Sequence, residues 1–390
     1  MEKALLGEVT PMVFQLTNEQ QMIQLMVRDF ARREIEPIAG RLDREGIFPW
    51  EILRKMAQLG LMGMMVPEEY GGSNVGAVSY CLAMQEIAYS CPSTAVTMAV
   101  CNLACEPIVA HGTEEQKRTY LVPLARGEKL GAFAVTEPQA GSDAAGIKTR
   151  AERHGDYYFL TGTKMFITNG SYAGVLVILA RTAEEPHRGI SAFLVEPGFP
   201  GFSVGVVEDK MGLRASNTAE IVLEECRVPA SNLLGQEGDG FRMAMAALDT
   251  GRIGIASQSV GIAKACFDEA VRYSKERKQF GKYIGTYQAI QWMIADMATE
   301  IEAAKLLTLQ AAAHRDRGEP ITMLASMAKL YASEMVNRVA FRATQIFGGY
   351  GFMKDYKVER LYRDARVTTV YEGTSEVQRM VIARQILKGA

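Results

Sequence analysis

Three zones of different hydrophobic period follow one another along the chain. From residue 18, the stretch NEQQMIQLMVRDFARREIEPIA places Met22, Ile23, Met26, Val27, Phe30 and Ile35 mostly three and four positions apart, the period of a helix with one buried face. Asn18 is placed to cap it. PWEILRKMAQLGLMGM repeats the period, with Pro49 near its start and Gly60 near its stop. Residues 76–112 read as two further helices rich in small side chains. Near residue 131 the grammar changes. DYYFLTGTKMFITNG, GVLVILAR, GISAFLVEP and TAEIVLEECRVP are short, β-branched and aromatic, and bounded by Gly, Pro or Asn-Gly, as strands of an antiparallel sandwich or barrel would be. From about residue 240 long helices return. Ile290, Met293, Ile294, Met297, Ile301 and Ala304 form a sustained apolar stripe, and long helices with short connections predict an antiparallel bundle. The fold class expected is therefore α+β and multidomain: an N-terminal all-α domain over 1–130, a middle antiparallel β-sandwich or barrel over 131–238, and a C-terminal four-helix bundle over 239–390.

Composition narrows the function classes. The 390 residues are 48% hydrophobic and 23% charged with a formal net charge of −2, which provides no electrostatic footprint for nucleic acid. No run reaches about 18 consecutive apolar residues, so no membrane span is expected. The N-terminal MEKALLGEVTPMVFQL lacks the zones of a secretory signal or an Arg-rich transit peptide, which predicts a cytoplasmic protein. Six cysteines at 81, 91, 101, 105, 226 and 266 form no CxxC pair and read as reduced core thiols. Four dispersed histidines and the lack of HExxH speak against a metal site. There is no GxGxxG after a strand and no P-loop, so a redox or phosphate cofactor must bind by another mode.

Several stretches carry chemistry. In TTVYEGTSEVQ, Glu372 stands between an aromatic residue and Gly373, just ahead of a helix that Thr374 or Ser375 would cap, with Ser375 and Gln378 at capping-box spacing. A carboxylate there also complements the helix dipole, so this stretch alone does not require catalysis. Val377, Met380, Val381 and Ile386 lie on or near one face of that helix. TEPQAGSD is a turn whose Gly141 permits close backbone approach and whose Thr136 and Ser142 offer hydroxyls. KMFIT ends a strand before Asn169-Gly170, a hairpin signal. ERKQFGK is a basic cluster, and Arg277 within it has the planar donor fork suited to phosphate.

Taken in order, FAVTEPQAGSD (133–143), KMFITNG (164–170), ERKQFGKYIGTYQAIQ (276–291), QIFGGYGF (345–352) and YEGTSEVQ (371–378) resemble the motifs of the acyl-CoA dehydrogenase family, and the likeness covers nearly the whole chain. The resemblance implies bound FAD, α,β-dehydrogenation of an acyl-CoA thioester to the 2-enoyl-CoA, and Glu372 as the base. It implies that Phe133, Val135, Thr136, Gly141 and Ser142, with Phe166, Ile167 and Thr168, meet the flavin, and that Ser142 also meets the CoA. Phe166 stands where the family usually has tryptophan, which keeps a flat apolar face and loses an indole N–H. Arg277, Gln279, Phe280 and Gln288 would meet the pyrophosphate, and Gln345, Gly348 and Gly349 the adenine end across a subunit boundary. Thr374 and Glu376 would cap the last helix and touch the cofactor. DTGRIGIA (249–256) resembles the substrate-side segment, with Arg252 near Glu372 and Asp249 toward the CoA end. Tyr371 and Gly373 would line the acyl group.

The implied mechanism sets two physical demands. An ordinary Glu, with a pKa of about 4.3, is too weak a base for a carbon acid, so burial must raise it. Donors must also stabilise charge on the thioester oxygen. The resemblance supplies the Glu372 N–H, free because it is outside a helix, and a ribityl hydroxyl of the flavin. Residues 88–102 resemble the acyl-pocket segment of short-chain members, with Thr94, Val96 and Met98 narrowing it, and carry no arginine for a dicarboxyl substrate. The expected substrate is a short- to medium-chain acyl-CoA, branched or alicyclic groups included. Electron-transferring flavoprotein is the implied electron acceptor and a homotetramer the implied assembly. The alternatives are an acyl-CoA oxidase on the same scaffold, whose members are usually longer, and a non-catalytic flavin- or CoA-binding protein.

Overall fold

A computed structural model describes residues 15–388. The N-terminal residues 1–14, most of the stretch read as lacking a leader, lie outside that range. The first helix, Asn18–Phe30, is capped by Thr17 and not by Asn18: Thr17 Oγ1 accepts the Gln20 N–H and the Gln20 side chain returns to the Thr17 N–H, a full capping box. Val27 and Ile35 are buried, whereas Met22, Leu25 and Met26 are exposed. Trp50–Gln58, Gly76–Ser90 and Pro92–His111 follow. Pro92–His111 departs from the reading that nothing here could span a membrane. Its mean hydropathy of 1.3 and length suffice, but 72% of that window is buried inside the protein, so it serves as a core helix.

Eight strands form one sheet among the described residues: β1 Leu130–Ala134, β2 Arg150–His154, β3 Tyr157–Thr168, β4 Ala173–Arg181, β5 Ile190–Val195, β6 Phe202–Val207, β7 Thr218–Pro229 and β8 Leu233–Leu234. The order is β6-β7-β3-β2-β4-β5-β8, with β1 beside β4. Most pairings are antiparallel, but β1 and β2 each run parallel to β4, so the sheet is mixed. The Asn169-Gly170 turn does not close a hairpin, because β3 pairs with β2 and β7 while β4 pairs with β1, β2 and β5. Asn169 takes a left-handed φ of 65° and its buried Nδ2 donates to the Gly131 carbonyl at 3.0 Å, which ties the turn to β1. β4 explains its own apolar run: Val175, Val177 and Leu179 face one core with the helix Pro92–His111, and Leu176, Ile178 and Ala180 face a second. Each such fully buried aliphatic side chain contributes about 1.5–3 kcal/mol.

The long helices Gly240–Glu276, Gln288–Asp316 and Thr322–Phe347 pack with Ser375–Ile386 into the C-terminal bundle. Of the stripe on the second helix, Met297 and Ala304 are fully buried and Ile290, Met293, Ile294 and Ile301 pack partly buried around them. One continuous core runs from Val27 and Tyr80 through Ile253 to Met335 and Leu361, so the N- and C-terminal helices share an interior although the sheet separates them in sequence. The last helix differs from its pattern. Ser375 and Gln378 are its buried residues, and Met380 and Ile386 are exposed. All six cysteines are buried free thiols.

Candidate active site

Glu372 lies in a bend between the 3₁₀ turn Val367–Thr369 and the helix Ser375–Ile386, at φ 54°, with Gly373 next at φ 87°. Glycine takes that region freely, but a glutamate there costs roughly 1–2 kcal/mol and must be held. Gln378 Nε2 donates to the carbonyls of Glu372 and Gly373 at 3.1 and 3.0 Å, and Lys329 Nζ donates to the Gly373 carbonyl at 2.7 Å. Thr374 is the cap, its Oγ1 accepting the Val377 N–H at 3.3 Å, so the Ser375–Gln378 capping box does not form. No acceptor among the described residues takes the Glu372 N–H.

The helix Gly240–Glu276 passes the carboxyl group at Gly251, where a β-carbon would stand 2.6 Å from Glu372 Oε2. Glu372 is half-buried as a residue, yet Oε2 itself is buried without a hydrogen-bond partner. Burial pushes its pKa up to about 7, against the opposing pull of the Arg252 and Lys329 cations. Arg252 is buried and bonded through Nη1 to Asp249 Oδ1 at 2.5 Å, while Asp249 Oδ2 accepts from Thr322 Oγ1 at 2.5 Å. Asp249 thus sits in a network with Arg252, and burial raises its pKa. The Tyr371 hydroxyl donates to the buried Gln258, whose Nε2 donates to the Pro92 carbonyl at 2.9 Å. Thr94, Val96 and Met98 are buried on the helix that Pro92 begins.

A second group gathers where the segment after β1 meets the C-terminal part of β3. The Met165 N–H donates to the Thr136 carbonyl at 2.9 Å, which sets TEPQAGSD beside KMFIT. Beneath them Lys164 Nζ, fully buried, reaches Glu137 Oε1 at 2.7 Å and the Val135 carbonyl at 3.1 Å, and Glu137 also accepts the N–H groups of Lys148 and Thr149. Val135 and Ile167 are buried, Phe133, Thr136 and Thr168 partly so, and Gly141 and Ser142 are exposed, with open space around Gly141. Phe166 is 60% exposed at φ 58°, an unusual state for an aromatic residue.

The third group is solvent-facing. Arg277 ends the helix Gly240–Glu276 and leads into a ribbon, Lys278–Gln279 against Lys282–Tyr283, turned by Phe280 and Gly281 at φ 51° and 79°. Phe280 is 93% exposed. Gln279, Gln288, Gln345, Gly348 and Gly349 are exposed too, and open space surrounds both glycines. The Arg277 guanidinium lies 5.5 Å over the Tyr350 ring, without a carboxylate partner among the described residues. Glu376 is exposed. Hence the structure gathers Glu372, Gly373, Tyr371, Asp249 and Arg252 in one place, the residues after β1 and at the end of β3 in a second, and the Arg277 and Gln345 motifs in a third that faces outward.

Sequence reading assigned no role to Lys329, Gly251, Gln258 or the Glu137–Lys164 pair, and placed Gln378 in a capping box, whereas it holds the Glu372 and Gly373 carbonyls. Two left a trace: Lys329 is a lone charge in the apolar run LASMAKLYAS, and Gly251 is a glycine inside a helix. Of the seven non-glycine residues with positive φ among the described residues, Phe166, Asn169, Phe280 and Glu372 are residues already singled out by their motifs.

Comparison with known proteins identifies the family. Models of the acyl-CoA dehydrogenase N-terminal, middle and C-terminal domains match residues 17–128, 132–226 and 238–387. The chain is 50% identical over 382 residues to acryloyl-CoA reductase (NADH) of Anaerotignum propionicum, covering 97% of this chain and 96% of that one. It is 48% identical over 379 residues to the short-chain specific acyl-CoA dehydrogenase of Clostridium acetobutylicum, covering 97% and 100%. The structure of butyryl-CoA dehydrogenase from Megasphaera elsdenii superposes with a TM-score of 0.95 at 44% identity, over 96% of this chain and all of the other. The chain belongs to the acyl-CoA dehydrogenase family, FAD-dependent oxidoreductases that act on the CH–CH bond of acyl-CoA thioesters and assemble as homotetramers.

Proposed function

We propose that Glu372 is the base that removes the α proton of a short-chain acyl-CoA, and that its own N–H donates to the thioester oxygen. The observation that carries this reading is the held bend: a buried carboxylate oxygen without a partner beside a backbone N–H without an acceptor. With its pKa raised to about 7 the carboxylate is basic enough to act near neutrality and is partly ionised there. A donor of that kind stabilises developing enolate charge by about 3–4 kcal/mol. Arg252, locked by Asp249, keeps a positive charge beside the site without a direct ion pair to Glu372. FAD, held by the sheet and Arg277 groups, would supply the acceptor for the β hydrogen.

The residues fit that cofactor. Open space at Gly141, the exposed Phe166 face and the polar Thr136 loop suit a flat ring, and unpaired Arg277 with open Gly348 and Gly349 suits a diphosphate and adenine. Exposure of the third group in a single chain accords with its use by a neighbouring subunit. The short acyl preference is supported by the buried Thr94, Val96 and Met98 and by the identity to the short-chain relative. Electron-transferring flavoprotein is the proposed partner for reoxidation, the cytoplasm the proposed location, and 1–130, 131–238 and 239–390 the proposed domains.

A second reading concerns direction. One relative at 50% identity is named as a reductase, and a Glu372 whose pKa burial raises to about 7 is available near neutral pH in its protonated as well as its ionised form. The same residue could then return a proton to the α carbon of a 2-enoyl-CoA. Anaerobic addition of acyl-CoA thioesters of graded length tests the proposal: the yellow holoenzyme bleaches, fastest with the short chains. An enzyme that bleaches only when a reductant is supplied, and is reoxidised by 2-enoyl-CoA, works in the reductive direction. A yellow protein that no acyl-CoA or enoyl-CoA alters contradicts both.

A further inference from the structure

Lys329 lies in the middle of the helix Thr322–Phe347 and is fully buried. Taking an ammonium out of water costs several kcal/mol, which buried cations ordinarily recover from a carboxylate at contact distance. Lys329 has none among the described residues: it takes part in no ion pair, and its hydrogen bond goes to the neutral carbonyl of Gly373 at 2.7 Å. Core packing alone is met by methionine or valine, as Met335 and Val336 show on the same helix. The cation therefore has a use that packing does not supply, and its one partner is the residue after Glu372.

We propose that Lys329 is a positioning residue for Glu372: its buried ammonium holds the Gly373 carbonyl, and with it the left-handed Glu372–Gly373 bend, while its charge biases the neighbouring carboxylate towards the ionised form. The inference rests on the reading of Glu372 as the base. Two side chains from different helices clamp the bend, Lys329 from Thr322–Phe347 and Gln378 from Ser375–Ile386, and both reach the Gly373 carbonyl. Only Lys329 brings charge. The charged and titratable groups around Glu372 are Tyr80 from Gly76–Ser90, Arg252 from Gly240–Glu276, Lys329 from Thr322–Phe347, and Tyr371 and Glu376 from its own segment. Asp249 occupies Arg252, whereas no acid among the described residues forms an ion pair with Lys329; its field acts first on Glu372 and more weakly on Glu376 and Glu334. Burial pulls the Lys329 pKa down to about 8, with Glu372 acting in the opposite direction, so the ammonium persists at neutral pH.

The test uses the holoenzyme and an acyl-CoA with sulfur in place of the β carbon, which cannot be desaturated. Exchange of its α hydrogens into deuterated water then reports proton removal without any redox step, and bound flavin and thermal midpoint are recorded alongside. Lys329→Met removes the cation that favours the carboxylate. The acid limb of the exchange profile is expected to move to higher pH by about one unit, with exchange about fivefold slower at neutral pH and about tenfold slower below the parent limb. Lys329→Arg, which keeps charge and donor, should keep the limb where it is. If Lys329→Met does not form holoenzyme, Lys329→Gln, which keeps a donor without charge, is read in the same way. An unchanged limb and rate per bound flavin in the neutral variant overturns the proposal. Failure of both neutral variants to form holoenzyme also overturns it, because Lys329 is then a folding residue. Glu372→Gln separates the two levels: exchange that survives it refutes the base, whereas exchange abolished by it but indifferent to Lys329→Met refutes only Lys329.

Discussion

Gly251→Ala perturbs the carboxyl group of Glu372 with a single methyl. The added β-carbon would meet Oε2 at 2.6 Å and Cδ at 3.2 Å, where ordinary contact begins at 3.4 Å. Something must yield, and the candidates differ in stiffness. Gly251 is inside a 37-residue helix packed on both neighbours, so its backbone stays. The carboxyl group is the far end of a flexible side chain and moves instead, by about 0.8 Å or more to restore the gap between 2.6 and 3.4 Å. Misplacement of a reacting group by about 1 Å can cost on the order of a hundredfold in rate, or roughly 2.7 kcal/mol. Helix propensity runs the other way, because alanine in a helix interior is favoured over glycine by about 1 kcal/mol. Gly251→Ala should therefore keep its flavin, hold or raise its thermal midpoint, and bleach about 10–100 times more slowly when mixed anaerobically with butyryl-CoA in a stopped-flow instrument. Bleaching at the parent rate with the midpoint unchanged refutes the argument that Gly251 makes room for the base. A fall in midpoint together with flavin loss would show instead that the helix, not the carboxylate, gave way.

Other expectations follow from the same geometry. Arg277→Ala should weaken flavin retention on dialysis by about 1.5–3 kcal/mol, as for loss of charge-assisted bonds, and change acyl-CoA binding less; unchanged flavin content refutes the assignment. Because only ionised Glu372 accepts a proton, the rate of flavin reduction should fall about tenfold per pH unit below about 7, and a limb near the ordinary carboxylate value contradicts the buried setting. Lys164→Met leaves Glu137 buried without its cation and should destabilise by about 3–5 kcal/mol in denaturant unfolding; a loss below about 1 kcal/mol makes the pair dispensable. Burial would raise the Glu137 pKa, but Lys164 and the Lys148 and Thr149 donors outweigh it and hold the pKa at about 2. The stability Glu137 contributes is present above its ordinary value near 4.5 and is lost as pH falls from there through about 2, partly offset by burial drawing Lys164 down to about 8.

The order helix, sheet, helix was legible because period and strand length report which face each segment buries, and β4 is the clearest case. β1 and β2 were not among the strands read from the sequence: LGAFA is short and rich in small residues and is placed by β4, from Leu130 to Ala173 along the chain, while RAERH is mostly charged and exposed and pairs with β3 just beyond the Gly155 turn. The Asn169-Gly170 turn misled because a hairpin signal specifies a local bend, not which strand comes alongside. Glu372 was legible as a residue outside the helix ladder. Its surroundings were not, since the space at Gly251 and the Lys329 contact join positions 121 and 44 residues away. The shared core of the N- and C-terminal helices was hidden for the same reason: periodicity tells that a face is buried and not against what.

The account stands most directly on what Glu372→Gln does to flavin reduction. Amide for carboxylate keeps the side chain's shape and removes the proposed base. The variant holoenzyme should stay yellow, bind butyryl-CoA with a shift in its visible spectrum, and fail to bleach under anaerobic conditions over times in which the parent bleaches fully. Bleaching at a rate near the parent's would place the base elsewhere and contradict the account.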